Sequence, residues 1–190
     1  MRISVSSDMD EPVARALVAE LRGRGHDVVP HGALRSGDDP RWAACSAAAA
    51  RDVADGTSEQ AVVCCWTGTG ASIAANKVAG VRAALCTDAG TAEGARRWND
   101  ANVLALSLRL TSEPLLKEIL DAWFAAEAGQ DAEDRQNLAH LAALDGAGAS
   151  GAPRASGASG AARAAGVPGA SRGPVPAPDG FGLGGADSGS

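Results

Sequence analysis

The chain has 190 residues, a formal net charge of −6 and only 3% aromatic residues. An acidic chain with no cluster of Lys and Arg and few rings for base stacking is a poor nucleic-acid binder. No apolar run reaches membrane-spanning length and no secretory signal pattern is present, so we expect a cytoplasmic protein without membrane contact. The four cysteines lack CxxC spacing and only three histidines accompany them, so no metal site is predicted.

Composition divides the chain near residue 145. Residues 146–190 are almost entirely Gly, Ala, Ser and Pro, with too few apolar side chains to offset the entropy cost of ordering. We expect this segment to be a disordered tail, and residues 1–145 to form one domain with its own core.

Apolar runs alternate with amphipathic stretches along the predicted domain. Five runs are predicted to be strands, at residues 2–6, 27–29, 60–65, 81–86 and 102–106. Helices are predicted to begin near Pro12, Pro40, Gly70, Thr91 and Ser112, with a last short helix at about 132–144. The alternation predicts an α/β fold, a doubly wound, Rossmann-like, five-stranded parallel sheet flanked by helices.

Ligands of such sheets bind beyond the carboxyl ends of the strands. The candidate site is therefore the set of turns that follow strands, at residues 6–10, 31–39, 65–72, 86–90 and 107–109. The third turn lies within CCWTGTGASIAANK, residues 64–77, which combines two cysteines with a glycine-rich turn and the start of a helix.

The turn Thr67-Gly68-Thr69-Gly70 can bring backbone N–H groups close to a ligand, because glycine has no side chain to block the approach. A helix beginning there adds a partial positive charge, which suits a phosphate, a carboxylate or the oxyanion of an enediolate. Cys65 ends its strand beside these dipoles, a position that favours a reactive thiolate. Cys64 and Cys65 can equally be small core residues, and the pattern alone leaves the role of Cys65 open.

A second interpretation of the same stretch is a dinucleotide fingerprint. Gly68, Gly70 and Ala74 match G-x-G-x-x-G/A, and Asp88 follows twenty residues after Gly68. This pattern is weakly specific, and its unit comes third in the chain rather than first.

Several blocks in fixed order carry a resemblance to one known family. They are Asp8, Asp39-Pro40, C-x-T-G-x-G-x-S-I-A-A-N-K at 65–77, GVRA at 80–83, NDANVL at 99–104 and Arg109. Over about residues 1–127 the chain resembles the ribose-5-phosphate isomerase B / galactose-6-phosphate isomerase (RpiB/LacA/LacB) family. Such enzymes interconvert aldose and ketose phosphates through a cis-enediolate.

The resemblance implies that Cys65 moves the proton between C1 and C2 and that Thr67 assists this thiol. It implies substrate contacts from Asp8, Met9, Trp66, Gly68, Thr69, Gly70, Ala71, Ser72, Trp98, Asn99, Arg109 and Arg135. Among these, the amides of 68–72 form an anion hole, Asp8 and Asn99 hold hydroxyls, and the arginines lie near a phosphate. The family needs no metal or organic cofactor. The implied partners are a small sugar or sugar phosphate and further copies of the chain, as a homodimer or a tetramer of dimers, with sites built partly by the neighbouring subunit.

Five positions depart from the family pattern. Met9 and Trp98 replace histidines, Trp66 replaces a glycine, Asp131 replaces a phosphate-binding arginine, and Ala71 excludes the glutamate that some members use instead of the cysteine. Losing a histidine acid typically costs about 10²- to 10⁴-fold in rate. We therefore expect an isomerase with an altered substrate; a catalytically silent relative that binds a small polar ligand or serves as a partner subunit is the alternative.

Overall fold

The computed structural model describes the backbone of residues 1–150 and the side chains of residues 1–146. Of the predicted tail, residues 146–150 belong to the last helix, and residues 151–190 lie outside the described residues. The strands in the described part are β1 (Arg2–Ser7), β2 (Asp27–Gly32), β3 (Gln60–Cys65), β4 (Ala83–Leu85) and β5 (Val103–Ser107). The helices there are α1 (Pro12–Gly23), α2 (Trp42–Ala54), α3 (Thr69–Ala75), α4 (Ala89–Asn99), α5 (Glu113–Ala125) and α6 (Ala132–Ser150).

The strands form one parallel sheet in the order β2-β1-β3-β5-β4. One face is covered by α1, α4 and α5 around Leu17, Ile119 and Trp123, and the other by α2 and α3 around Ala49 and Ala75. The predicted fold class, a doubly wound five-stranded parallel sheet, is thereby confirmed. Within residues 1–150, no helix has the length and apolar character needed to cross a membrane.

The central strands match their predicted bounds better than the edge strands do. β3 occupies residues 60–65 as predicted, because a strand covered on both faces is apolar throughout. β2 continues past the predicted end at residue 29 to Gly32, since an edge strand tolerates Pro30, whose missing N–H faces no partner. β4, at the other edge, has three residues instead of the predicted six, and α6 continues beyond residue 144.

The sheet changes winding direction between β1 and β3, which are neighbours. The helix after β1 packs on one face of the sheet, whereas the helix after β3 packs on the other. A crevice therefore opens between the carboxyl ends of these two strands, at the place where doubly wound sheets bind their ligands.

Candidate active site

The two adjacent cysteines at the end of β3 face opposite sides of the sheet. Cys64 is 2% exposed and packs with the α1 and α5 face, where burial raises the pKa of its thiol well above the usual range. Cys65 packs with the α2 and α3 face and also lines a cleft at the carboxyl edge. Of the two thiols, only that of Cys65 reaches the candidate site.

The turn after Cys65 is held by its own backbone. The N–H of Gly68 donates to the Cys65 carbonyl at 3.1 Å, and the N–H of Ala71 approaches Cys65 Sγ at 3.4 Å. The N–H of Ser72 donates to the Gly68 carbonyl at 3.0 Å. Within the described part of the chain, the amides of Thr69 and Gly70 meet no backbone or side-chain acceptor, so two of the five predicted anion-hole amides are free for a ligand.

Gly68 makes this turn possible. Its φ of +74° is left-handed, and a Cβ there would lie 2.5 Å from Leu85 Cδ1 and 2.9 Å from the backbone carbon of Leu106. Only glycine combines that backbone angle with so close an approach to the neighbouring strand. The turn that presents Cys65 therefore depends on this residue.

Gly68→Ala is expected to destabilise the fold by at least ~3 kcal/mol, because left-handed strain and a steric clash act together. Gly56 is the matched control, since it has a similar φ of +72° but open space around a built Cβ. Gly56→Ala should cost only ~1–2 kcal/mol, the strain alone. Urea unfolding of both variants measures the difference, and equal losses would show that the clash at Gly68 is relieved by local movement.

We name the crevice around the thiol the Cys65 cleft. It has a volume of about 290 Å³, and its lining residues are Asp8, Trp42, Cys65, Trp66, Thr67, Thr69 and Gly70. The hydroxyls of Thr67 and Thr69 lie 2.7 Å apart, so in this structure Thr67 pairs with Thr69 rather than with the thiol.

Trp42 is a cleft residue that the sequence analysis missed. It begins α2, and a Cβ built on Gly70 would lie 3.0 Å from its indole ring, so the ring rests against the start of α3. The sequence position of Trp42 could have indicated this role, because α2 follows β2 and therefore begins at the carboxyl edge of the sheet. The predicted turn ended three residues too early to include it.

Asp8 supplies the only carboxyl group of the cleft lining. Its Oδ1 is buried and has no hydrogen-bond partner among the described residues, and burial raises the pKa of this carboxyl above its ordinary value of 3.8. A buried polar atom without a partner is destabilising unless a ligand uses it. Asp8 therefore has the features of a ligand-binding group.

Asp8→Asn is expected to raise the melting temperature at neutral pH while weakening function. Because burial raises the folded-state pKa above the unfolded-state value, the ionised carboxylate destabilises the fold, and stability is lost as the pH rises through the folded-state pKa. Asparagine never ionises, so its advantage should narrow as the pH falls from about 7 toward about 4. Thermal melts of both proteins across this range measure the effect; an Asn variant less stable at neutral pH would contradict it.

The remaining predicted residues near this edge point elsewhere. Met9 packs against the apolar core on the α1 side, which suits a thioether better than an imidazole. Ala71 is fully buried, and the Ser72 hydroxyl approaches the Ala83 carbonyl at 3.4 Å. Arg109 donates its backbone N–H to the Trp66 carbonyl, but its exposed side chain does not line the cleft.

Three predicted site residues, Trp98, Asn99 and Arg135, lie at the opposite, amino edge of the sheet; we call them the amino-edge group. Trp98 and Asn99 end α4, and the Asn99 carbonyl accepts a hydrogen bond from Arg82, just before β4. Arg135 is in the first turn of α6, shortly after Gly129, whose N–H donates to the Arg97 carbonyl near the end of α4 at 2.6 Å. β5 separates the two edges by about 13 Å at 3.3 Å per residue. One chain therefore does not bring this group to Cys65.

Asp88 and His31 each have a hydrogen-bond partner outside the Cys65 cleft. Asp88 caps α4, accepting a hydrogen bond from the Thr91 N–H at 2.8 Å, so its carboxylate is already used locally rather than free for a ribose. His31, in the predicted turn after β2, lies outside the cleft lining and pairs through Nε2 with Asp52 at 2.7 Å. Both side chains serve the fold.

A family model described as Ribose/Galactose Isomerase matches residues 3–140. The chain belongs to this family. It is 42% identical over 113 residues to ribose-5-phosphate isomerase B of Escherichia coli, an alignment that covers 58% of this chain and 74% of the relative. It is 36% identical over 139 residues to galactose-6-phosphate isomerase subunit LacB of Clostridium acetobutylicum, covering 72% and 79%.

Solved structures of the ribose/galactose isomerase family share the fold. The structure of ribose-5-phosphate isomerase B from Clostridium thermocellum superimposes with a TM-score of 0.71 at 32% identity, covering 77% of this chain and 99% of that one. These relatives and the structural neighbour are named as isomerases, which supports isomerase as the enzyme class of this protein. The dinucleotide interpretation loses its support, because the glycine turn belongs to the family's own pattern and Asp88 is a helix cap.

Proposed function

We propose that the protein is an aldose–ketose isomerase that transfers a proton between C1 and C2 of a sugar or sugar phosphate. The carrying observation is the position of Cys65 Sγ, which lies in the cleft at the topological switch point beside the N–H of Ala71. An isomerase of this type needs one base and one clamp for an oxyanion, and the turn after β3 offers both.

In the proposed reaction, the Cys65 thiolate removes the proton from C2 of the open-chain aldose. The electron pair of the broken C–H bond forms the C1–C2 double bond of a cis-enediolate, and the carbonyl oxygen becomes an oxyanion. The free amides of Thr69 and Gly70 are placed to stabilise that charge. Return of the proton from the thiol to C1, with transfer of the hydroxyl proton from O2 to O1, gives the ketose.

We further propose that a second copy of the chain completes the site. The amino-edge group is exposed, with Trp98 56% exposed, and lies too far from Cys65 to act within its own chain. In a symmetric dimer, the amino edge of one copy can lie against the Cys65 cleft of the other, and symmetry then creates two such sites. The sugar would contact Asp8 from one copy and Asn99 from the other.

The proposed chemistry is tested by incubating aldoses and ketoses, free and phosphorylated, with the protein in D₂O. Deuterium entering at C1 or C2 of the sugar reports proton exchange through an enediolate. If folded protein introduces deuterium into no sugar of the panel, the isomerase proposal is wrong and a silent binding relative takes its place.

A further inference from the structure

The lining of the Cys65 cleft contains an acidic side chain and no basic one. Of its seven residues, all in the described part of the chain, one carries a carboxyl group, one a thiol and two an indole, and none is cationic. The Oδ1 atom of Asp8 is buried there without a hydrogen-bond partner. The lining thus offers no cationic side chain to a phosphate dianion.

A phosphate ester is a poor fit to such a lining. It carries about −1.5 to −2 charges at neutral pH, and Asp8 and a Cys65 thiolate would both repel it. Phosphate sites in proteins normally contain arginine or lysine, which supply charge-assisted hydrogen bonds. Arg109, which follows β5 at the carboxyl edge, has an exposed side chain outside the lining.

The amino-edge group would not reverse this charge if a second copy brought it to the cleft. Arg135 lies in the first turn of α6, where its N–H donates to the Asp131 carbonyl and where Glu133 and Asp134 are its neighbours. Three carboxylates therefore accompany this one arginine. The segment around Arg135 is acidic in sum.

Two indole rings give the cleft a different complementarity. Trp42 rests against Gly70, and Trp66 is 51% exposed at the cleft. The face of an indole is electron-rich and apolar, so it packs well against the C–H groups on the face of a sugar. The hydroxyls of Thr67 and Thr69 and the carboxyl of Asp8 can hydrogen-bond the sugar hydroxyls at the rim.

Building on the proposed isomerase function, we propose that the substrate is an unphosphorylated monosaccharide that stacks on Trp42 and Trp66 and binds Asp8 through its hydroxyls. This assigns a specificity role to two tryptophans. It also explains why the cleft combines a buried carboxyl with aromatic walls and no cationic side chain in its lining.

The test pairs each free aldose with its terminal phosphate ester, for a tetrose, a pentose and a hexose, in D₂O. We expect kcat/KM for exchange to be at least ~10-fold higher for a free sugar than for its ester. Higher values for the esters would overturn the substrate assignment, pointing to Arg135 of a second copy, while leaving the isomerase function intact. If no sugar exchanges, calorimetric titration decides: binding of a free sugar supports the assignment, and binding of esters alone, or of nothing, overturns it.

A pair of variants separates the loss of stacking on Trp66 from a general loss of stability. Trp66→Gly should raise KM for the free sugar by ~10-fold with kcat nearly unchanged, because stacking binds substrate and transition state alike. Ile73→Ala is the control, since Ile73 is a 59% exposed residue of α3 that does not line the cleft. A Trp66→Gly protein with unchanged KM, or with the same change in the control, would contradict the stacking role.

Discussion

Cys65→Ala is expected to lower deuterium exchange into the substrate by ~10²- to 10⁴-fold, because it removes the base that the proposed mechanism places at the reacting carbons. The thiol lies in the cleft, and the Ala71 N–H is 3.4 Å from Sγ. The residual rate would come from binding and from the amides of the turn. Exchange is measured by mass spectrometry or proton NMR on recovered sugar, with circular dichroism confirming that the variant is folded.

Cys64→Ala is the matched control for this experiment. Cys64 differs from its neighbour only in which face of the sheet it occupies, and it is packed among core residues of α1 and α5. We expect exchange within ~3-fold of wild type and a stability loss of ~1–2 kcal/mol from the removed sulfur. The proposed mechanism is wrong if the Cys65 variant keeps its exchange rate, or if both variants lose it equally while folded.

The fold was predictable because its strongest signals are local. The run QAVVCC at residues 60–65 is apolar on both faces, and the strand observed there has the same bounds. The edge strands were harder, since their length depends on pairing with one neighbour only. β2 includes Pro30, which a sequence pattern takes as a strand end, although the edge position makes it harmless.

The site was only partly predictable. Strand alternation shows that Cys64 and Cys65 face opposite sides, but the cleft side is fixed by α3 packing on the same face as Cys65. Trp42 was missed because its contact with Gly70 is a tertiary contact between two helix starts that are far apart in sequence. Such contacts follow from strand order, which a single sequence does not reveal.

The topology places the two tryptophans that depart from the family pattern at opposite edges of the sheet. Trp66 is at the carboxyl edge beside Cys65, whereas Trp98 is at the amino edge, folded back over Gly94 of its own helix. The two rings therefore do not line one cleft within a single chain. They can meet only across copies, which makes oligomerisation the next question.

A mixture of two inactive variants is expected to regain activity if the site is shared between copies. Cys65→Ala inactivates the cleft, and Asn99→Ala removes an exposed amide of the amino-edge group while leaving its carbonyl bond to Arg82 in place. In a hybrid dimer, one of the two sites receives both mutations and the other receives neither. Random pairing of equal amounts should therefore restore about a quarter of wild-type exchange, and the purified hybrid about half.

The experiment is done by co-expressing the two variants with different tags and purifying the hybrid, with exchange in D₂O as the readout. A chain carrying both Cys65→Ala and Asn99→Ala, paired with the Cys65→Ala chain, is the control, because no pairing of these leaves an intact cleft. Recovery in the first mixture alone requires that Asn99 acts on the neighbour's substrate. No recovery, from single variants that are each inactive and folded, would place the whole site in one chain. The 13 Å separation estimated from β5 would then have to be closed by a movement of α4, an outcome that the short tie between Asn99 and Arg82 argues against.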